Sequence, residues 1–165
     1  MDAADNVYVV EYGGHRVQKF SNTGISLNHW GSYGFGNGEF YHPTDLAIDS
    51  DGNVYVVDQY NDRIQKFNST GVYQNQWGSR GSEAGQFRSA EDAEIDGAGN
   101  VYVVDQSNNR IQIFTAGGQY IAEWGSNGAG IGQFSYPRGI AIDNLGYIYV
   151  ADRQNNRIQK FYQIR

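Results

Sequence analysis

Cysteine is absent from the 165-residue chain. Its absence excludes disulfide bonds, thiolate metal sites and a cysteine nucleophile. No apolar run approaches the roughly 18 residues that a membrane-spanning helix requires, so no span is predicted. Residues 1–5 carry neither a basic region nor an apolar stretch, so we expect no signal peptide there. None of these features selects a cellular compartment.

Positive charge is also scarce. Lysine and arginine number 12 against 18 acidic residues, which gives a formal net charge of −6. The basic residues are spread along the chain, whereas binding to phosphate backbones needs clustered cations. Nucleic-acid binding is therefore disfavoured, and no residue pattern calls for a cofactor or a metal.

Proline occurs only twice, whereas glycine occurs 22 times and aromatic residues make up 15% of the chain. Gly-rich turns between aromatic and β-branched runs are typical of all-β proteins. No apolar stripe with the 3.6-residue period of a helix is present. The composition therefore predicts short strands joined by tight turns.

A 47-residue period runs through the whole sequence without insertion or deletion. The phrase Asn-Val-Tyr-Val-Val at residues 6–10 returns at 53–57 and 100–104, and a related phrase stands at 147–151. Each full unit offers four strands, for example residues 46–49, 54–57, 63–67 and a last strand that ends at Trp77. Four short strands per repeat of this length predict a blade of a β-propeller.

The repeat phrase resembles the NHL repeat. The resemblance is carried by residues 52–67, 99–114 and 146–161, and by the Gly-Gln-Phe sequences at 85–87 and 132–134. It covers residues 6–165 and implies a β-propeller of four-stranded antiparallel blades. NHL propellers include RNA-binding modules of ubiquitin ligases, sensor domains of bacterial kinases and a metal-containing peptidyl-hydroxyglycine lyase, so the resemblance alone does not select a function.

The chain is expected to hold about three and a half blades in a single, partial propeller domain over residues 1–165. The predicted units are residues 1–43 (strands b, c and d), 44–90, 91–137 and 138–165 (strands a, b and c). An open arc exposes apolar blade faces and strand edges. We expect two chains to close the ring as a homodimer; the alternative is an engineered or truncated piece of a longer propeller.

A turn motif of an acid, an amide and an arginine recurs in three units. One interpretation is a ring of ligand-binding arginines. The favoured one is a structural turn, in which the carboxylate and the amide cap backbone N–H groups and the arginine braces them. The residues are Asp58, Asn61 and Arg63; Asp105, Asn108 and Arg110; and Asp152, Asn155 and Arg157.

Two further patterns have weak metal-site character. Residues 49–52 resemble the start of a calcium loop, but the twelfth position is Tyr60, so a tight turn is favoured. The three histidines, His15, His29 and His42, occupy different strand positions and are expected to point in different directions, which argues against a zinc site.

An acidic site is a hypothesis for the central channel, at Glu91 and Glu94. Glu94 stands where the other units have alanine, and it needs water, a cation, or an arginine such as Arg88 or Arg138 as a partner. The alternative is a solvated channel lining.

The loops that share one mouth of the channel are the predicted ligand-binding face, because function concentrates on loops held by a rigid scaffold. The residues assigned to this face are Tyr12, Tyr41, His42, Tyr60, Arg80, Arg88, Tyr136 and Arg138.

From these patterns we expect a non-enzymatic scaffold or recognition module that binds a protein, a peptide or a glycan. A self-assembling structural subunit and a metal-dependent lyase or hydrolase are the alternatives.

Overall fold

The computed structural model describes residues 1–162, and the last residues of the fourth predicted unit, 163–165, lie outside it. Four antiparallel sheets follow one another along the chain. The first and last have three strands each, and the two between them have four. The prediction of an all-β fold built from four-stranded antiparallel blades is confirmed.

The first two sheets hold seven strands: β1 (Val7–Glu11), β2 (Arg16–Phe20), β3 (Ser26–Trp30), β4 (Pro43–Ile48), β5 (Val54–Asp58), β6 (Arg63–Phe67) and β7 (Tyr73–Trp77). The other two hold β8 (Ala90–Ile95), β9 (Val101–Asp105), β10 (Arg110–Phe114), β11 (Tyr120–Trp124), β12 (Pro137–Ile142), β13 (Tyr147–Asp152) and β14 (Arg157–Tyr162). Three-residue 3₁₀ turns follow β5, β9 and β13. No helix within residues 1–162 has the length and apolarity to cross a membrane.

The innermost strands differ from the prediction. We expected residues 46–49, 93–96 and 140–143, but β4, β8 and β12 begin three residues earlier and end one residue earlier. A register irregularity between Pro43 and Asp45 extends the pairing of β4 to the end of β5. At the other end, the carboxylate of Asp49 accepts the N–H groups of Asp51 and Asn53 at 3.0 and 2.8 Å, so this residue belongs to a tight turn.

Each sheet packs face to face on the next, because strands b and c carry apolar side chains on both faces. Tyr55, Val57 and Ile64 of the second sheet bury against Val101, Val103 and Phe114 of the third. Equivalent clusters join the first sheet to the second and the third to the fourth. The inner strands β4, β8 and β12 therefore lie side by side around the axis.

Candidate binding face

A buried polar network fixes the loop face in each unit. The fully buried carboxylate of Asp105 accepts hydrogen bonds from Arg88 N, Asn108 Nδ2 and Arg110 Nε, each at 2.8 Å. Arg110 also donates to the carbonyl oxygens of Glu83 and Gln86 at 2.9 Å. A charged pair with several hydrogen bonds is strong and geometrically specific. The network therefore clamps the loop that precedes the third blade onto its two middle strands, β9 and β10.

The other predicted turn motifs make the same bonds. Arg63 is 2.7 Å from Asp58 and donates to Gly36 O and Glu39 O, and Arg157 is 2.7 Å from Asp152. The guanidinium groups of Arg63 and Arg110 are buried and directed at loop carbonyls, which leaves them little surface for a ligand.

The pKa values of two of these carboxyl groups shift in opposite directions, although their hydrogen-bond donors are similar. Desolvation raises the pKa of Asp105. It would also raise the pKa of Asp152, but there the hydrogen bonds from Ser135, Asn155 and Arg157 outweigh it and lower the pKa. Within residues 1–162 no further sheet packs on the fourth sheet, and Arg157 is more exposed than Arg110.

Seven rings form an aromatic patch over the junction between the first and second sheets. The Tyr12 ring stacks on the His42 ring at 4.2 Å, and Tyr60 packs edge-on against Tyr41 at 5.1 Å. The patch consists of Tyr12, His15, Tyr33, Phe35, Tyr41, His42 and Tyr60. Although the rings contact one another, Tyr33 and Phe35 are 58% and 65% exposed, so they present apolar surface to solvent.

Two histidines of the patch converge, contrary to the expectation that all three point in different directions. The His42 backbone N–H donates to His15 Nδ1 at 3.1 Å, and His42 Nδ1 lies 3.1 Å from the carbonyl oxygen of Tyr12. His15 Nδ1 must accept and His42 Nδ1 must donate, which fixes the protonation of both atoms. This contact could not be predicted from the sequence because it joins two different loops.

A groove of about 520 Å³ adjoins the patch, over the junction between the second and third sheets. Tyr41 and Tyr60 form one side, and Arg80 and Arg88 contribute to its lining. Both arginines are exposed. Neither makes an ion pair with a described residue. The predicted face residues Tyr12, Tyr41, His42, Tyr60, Arg80 and Arg88 thus form one continuous surface.

A second pocket lies close to the axis, where Glu91 is bonded by two partners. Arg138 Nε lies 3.0 Å from Glu91 Oε1, and Gln59 Nε2 donates to Glu91 Oε2. The hydrogen bond with Tyr60 raises the pKa of Tyr12, which lines this pocket too, to about 12. Tyr136 is exposed but makes no ring contact with the aromatic patch within the described residues.

The structure separates the two predicted channel acids. Glu94 lines another cavity, together with Met1, Asp45 and Asp92. Of the partners considered for Glu94, an arginine is not found: within residues 1–162 Glu94 forms an ion pair with neither Arg88 nor Arg138, and its carboxylate accepts the N–H of Ile95 at 3.0 Å. Burial raises its pKa. No cluster of three or more His, Asp or Glu residues in the described chain could hold a metal ion.

A family model described as the NHL repeat matches residues 40–67 and 134–161. These two segments contain the last residues of the connecting loop followed by strands a, b and c of the second and fourth units. The chain carries NHL repeats. A comparison with curated protein sequences gave no match.

Several solved structures share the fold of these NHL repeats. A streptogramin B lyase superposes with a TM-score of 0.72 at 13% identity over 98% of this chain and 52% of that one. A catalytically inactive virginiamycin B lyase from Staphylococcus aureus, solved with quinupristin, gives 0.67 at 15% over 99% and 58%. Hydrazine synthase of Kuenenia stuttgartiensis gives 0.67 at 14% over 91% and 40%. The chain spans about half the length of these proteins, and the likeness concerns the fold alone.

Three members of the aromatic patch, His15, Tyr33 and Phe35, were absent from the predicted face. A signal for two of them was available in the sequence. When the NHL units are aligned at the 47-residue period, Tyr33 and Phe35 stand opposite Arg80 and Ser82, then Asn127 and Ala129. Aromatic residues that the repeat does not require are candidates for contact with a ligand.

Proposed function

We propose that the chain is a recognition module, which binds a peptide, a protein or a glycan through the aromatic patch and the adjoining groove. The observation that carries the proposal is the exposure of this patch at one junction of a repeated scaffold. Large contiguous apolar patches on a protein surface commonly mark interaction sites. Tyrosine and arginine dominate binding hot spots because they combine contact area with hydrogen bonding.

The repeat itself supports a functional rather than a structural role for the patch. The backbone bonds of the loop are the same at every junction: Tyr41 N, Arg88 N and Ser135 N donate to the turn aspartate at 2.7, 2.8 and 2.7 Å. The scaffold tolerates a ring, a guanidinium or a hydroxymethyl group at this position. The aromatic side chains are therefore not needed for folding of the loop.

Peptide and glycan arrays test the proposal. The wild type should bind a subset of the array members, and a Tyr33→Asn, Phe35→Ala double variant should no longer bind them. The double variant gives the first junction the residues that the third junction carries, Asn127 and Ala129. Tyr136→Ser, at an exposed tyrosine outside the patch, should keep the binding. An array on which the wild type binds nothing, or on which the double variant binds the same members, would refute the recognition function.

Closure of a ring by a second copy is a second candidate role, and it is favoured by two unpartnered sheet faces. Ile158 on the last sheet is 65% exposed, whereas its counterpart Ile111 is fully buried. Val9 on the first sheet is 40% exposed, whereas its counterpart Val103 is fully buried. The two faces are the halves of a contact that the chain makes three times internally, so one copy fits head-to-tail onto another.

Light scattering at micromolar concentration tests this self-association. The wild type should have twice the mass of one chain, and Val9→Asp or Ile158→Asp should each give monomers. A mixture of the two variants should regain dimers, because one of its two head-to-tail contacts keeps both wild-type faces. A monomeric wild type, or a mixture that stays monomeric, contradicts this arrangement.

That the chain is not an enzyme remains a prediction. Some of the structures that it resembles are lyases, and the alternative of a metal-dependent reaction is checked by metal analysis of the dialysed protein together with activity assays.

A further inference from the structure

We propose that the groove lined by Arg80, Arg88, Tyr41 and Tyr60 binds an acidic peptide segment. Carboxylate or phosphate groups of the peptide contact the two guanidinium groups, and a neighbouring apolar side chain packs on the tyrosines. This inference rests on the recognition function proposed above and names the ligand class for the groove.

The first step is the state of the positive charges. Six of the described cations form ion pairs within the chain, and Lys66 and Lys160 lie over tyrosine rings. Arg80, Arg88 and Arg153 have neither kind of partner among the described residues and are exposed. In a chain with a net charge of −6, the first two concentrate uncompensated positive charge at one groove. Such a local field attracts anions and speeds their association.

The second step is that the scaffold does not need these arginines. In the units before and after, the positions of Arg80 and Arg88 hold Tyr33 and Tyr41, then Asn127 and Ser135. Every version keeps the parallel bridge that closes the loop, which joins residue 80 to Phe87 in this unit. Arginine at both positions of one junction therefore distinguishes that junction chemically without altering its backbone.

The third step is the lining of the groove. Tyr60 is 49% exposed and offers a ring beside the cations, and the uncharged side chains of Gln59, Ser89 and Ser107 also line the groove. One carboxylate is present, that of Asp62, but it is nearly buried and accepts the N–H of Ser89 at 3.0 Å. The groove thus combines two free guanidinium groups with a ring, a combination that suits recognition of acidic motifs by arginine.

A peptide fits these observations better than a nucleic acid. A single strand of RNA or DNA needs a positively charged track along its backbone. Here the cationic surface is two residues wide, and the neighbouring pocket near the axis contains Asp45, Glu91 and Asp92. A peptide with a few acidic side chains matches the size of the site.

Fluorescence anisotropy with synthetic peptides tests the proposal. The probes are labelled octapeptides that alternate acidic and aromatic residues, in a carboxylate form, a phosphoserine form and a neutral amide form. Both anionic forms should bind the wild type, and the amide form should bind at least about tenfold more weakly. The tighter of the two anionic forms identifies the natural source of the charge. Binding should weaken as sodium chloride is raised from about 50 to about 300 mM.

Variants borrowed from the next repeat locate the site. Arg80→Asn and Arg88→Ser should each weaken binding about fivefold or more, and circular dichroism should show an unchanged fold. The matched control is Arg153→Gln, which removes another exposed arginine and installs the residue that the equivalent turns carry at Gln59 and Gln106. This control should bind like the wild type.

Several outcomes overturn the proposal. They are equal binding of the amide form, unchanged affinity in both groove variants, an equal loss in Arg153→Gln, or tighter binding of a uronate oligosaccharide or of oligo(U) RNA. If array ligands depend on Tyr33 and Phe35 but not on Arg80 and Arg88, the recognition function stands and the acidic-peptide groove fails.

Discussion

The pair of aspartates on the inner strands gives the chain a pH-dependent stability that one substitution should remove. Asp92 accepts the N–H of Ile140 at 2.7 Å, and Asp45 accepts the N–H of Ala93 at 3.0 Å. Burial, together with the hydrogen bond and charge of Asp45, raises the pKa of Asp92 to about 8. The folded chain therefore keeps a proton on this carboxyl group at neutral pH.

Proton linkage determines whether the free energy of unfolding rises or falls with pH. An unfolded aspartate ionises with a pKa of about 3.9, so from there to about pH 8 the folded state holds one more proton at Asp92 than the unfolded state. The contribution of Asp92 is full below pH 4 and is lost as the pH rises towards 8. One proton corresponds to about 1.4 kcal/mol per pH unit, so the free energy of unfolding should fall by up to about 4 kcal/mol between pH 5 and 8.

Asp92→Asn should flatten this dependence. The amide oxygen can accept the Ile140 N–H, and the amide nitrogen can donate to Asp45 as the protonated acid does. Urea unfolding followed by tryptophan fluorescence at pH 5, 6, 7 and 8 measures the effect. The variant should gain stability over the wild type with each step. Burial also raises the pKa of Glu94 and of Asp105, so some dependence in the same direction should remain in the variant.

Asp143→Asn is the matched control. Burial raises the pKa of Asp143, but hydrogen bonds from Tyr147, Tyr149 and Leu145 outweigh it and lower the pKa. This carboxyl group is therefore ionised in both states between pH 5 and 8, and its replacement should shift the whole curve without changing its slope. If the free energy of unfolding depends on pH in the same way in the wild type and in Asp92→Asn, the proton assigned to the Asp92 carboxyl group is refuted.

Two other predictions concern stability and use the same unfolding assay. Arg110→Lys should cost about 2 kcal/mol or more, because lysine cannot donate to the buried Asp105 carboxylate and also keep the bonds to Glu83 O and Gln86 O. Arg16 forms the equivalent pair with Glu11 at 2.9 Å in the first unit but is more exposed, so Arg16→Lys should cost less than about 1 kcal/mol. Equal costs would contradict the structural role of the buried pair. Gly118 and Gly85 have similar backbone angles, with φ of +83° and +79°. A Cβ added to Gly118 would lie 2.6 Å from the Trp77 ring, whereas a Cβ added to Gly85 would meet nothing within 4 Å. Gly118→Ala should therefore lose about 1–3 kcal/mol more than Gly85→Ala, and a loss no larger would contradict this packing.

The architecture could be predicted from the sequence because repetition makes each local pattern testable against its copies. The bounds of β6, residues 63–67, match the structure, since both ends are fixed by residues that recur in each unit. The start of the inner strands could not be predicted. The irregularity between Pro43 and Asp45 is set by pairing with β5, and short-range patterns do not show such pairing.

The residues of the candidate binding face could be predicted only in part. Tyr12, Tyr41, His42 and Tyr60 were assigned to it from loop position, and their contact follows from the packing of neighbouring sheets. The sequence left water, a cation or an arginine open as the partner of Glu94, because which residues of the inner strand reach a given arginine depends on how the blades stack. Arg138 instead meets the residue one full repeat before it, Glu91.

One backbone hydrogen bond is kept at every junction, although the side chain that accepts it differs. The residue before the innermost strand has a left-handed conformation, with φ of 52° at His42, 54° at Ser89 and 49° at Tyr136. Its N–H is accepted each time by a side chain of the preceding blade: His15 Nδ1 at 3.1 Å, an Asp62 oxygen at 3.0 Å and Asn109 Oδ1 at 2.9 Å.

An imidazole, a carboxylate and an amide thus accept the same backbone hydrogen bond, while each gives its junction different chemical groups. The imidazole adds a ring to the aromatic patch, and the carboxylate lines the same groove as the two free arginines. Since three different acceptors satisfy the loop, the side chain at this position can change the chemistry of a junction and leave intact the bond that holds it. The same freedom applies at the positions of Tyr41 and Arg88, and it explains how a strict repeat carries an asymmetric surface.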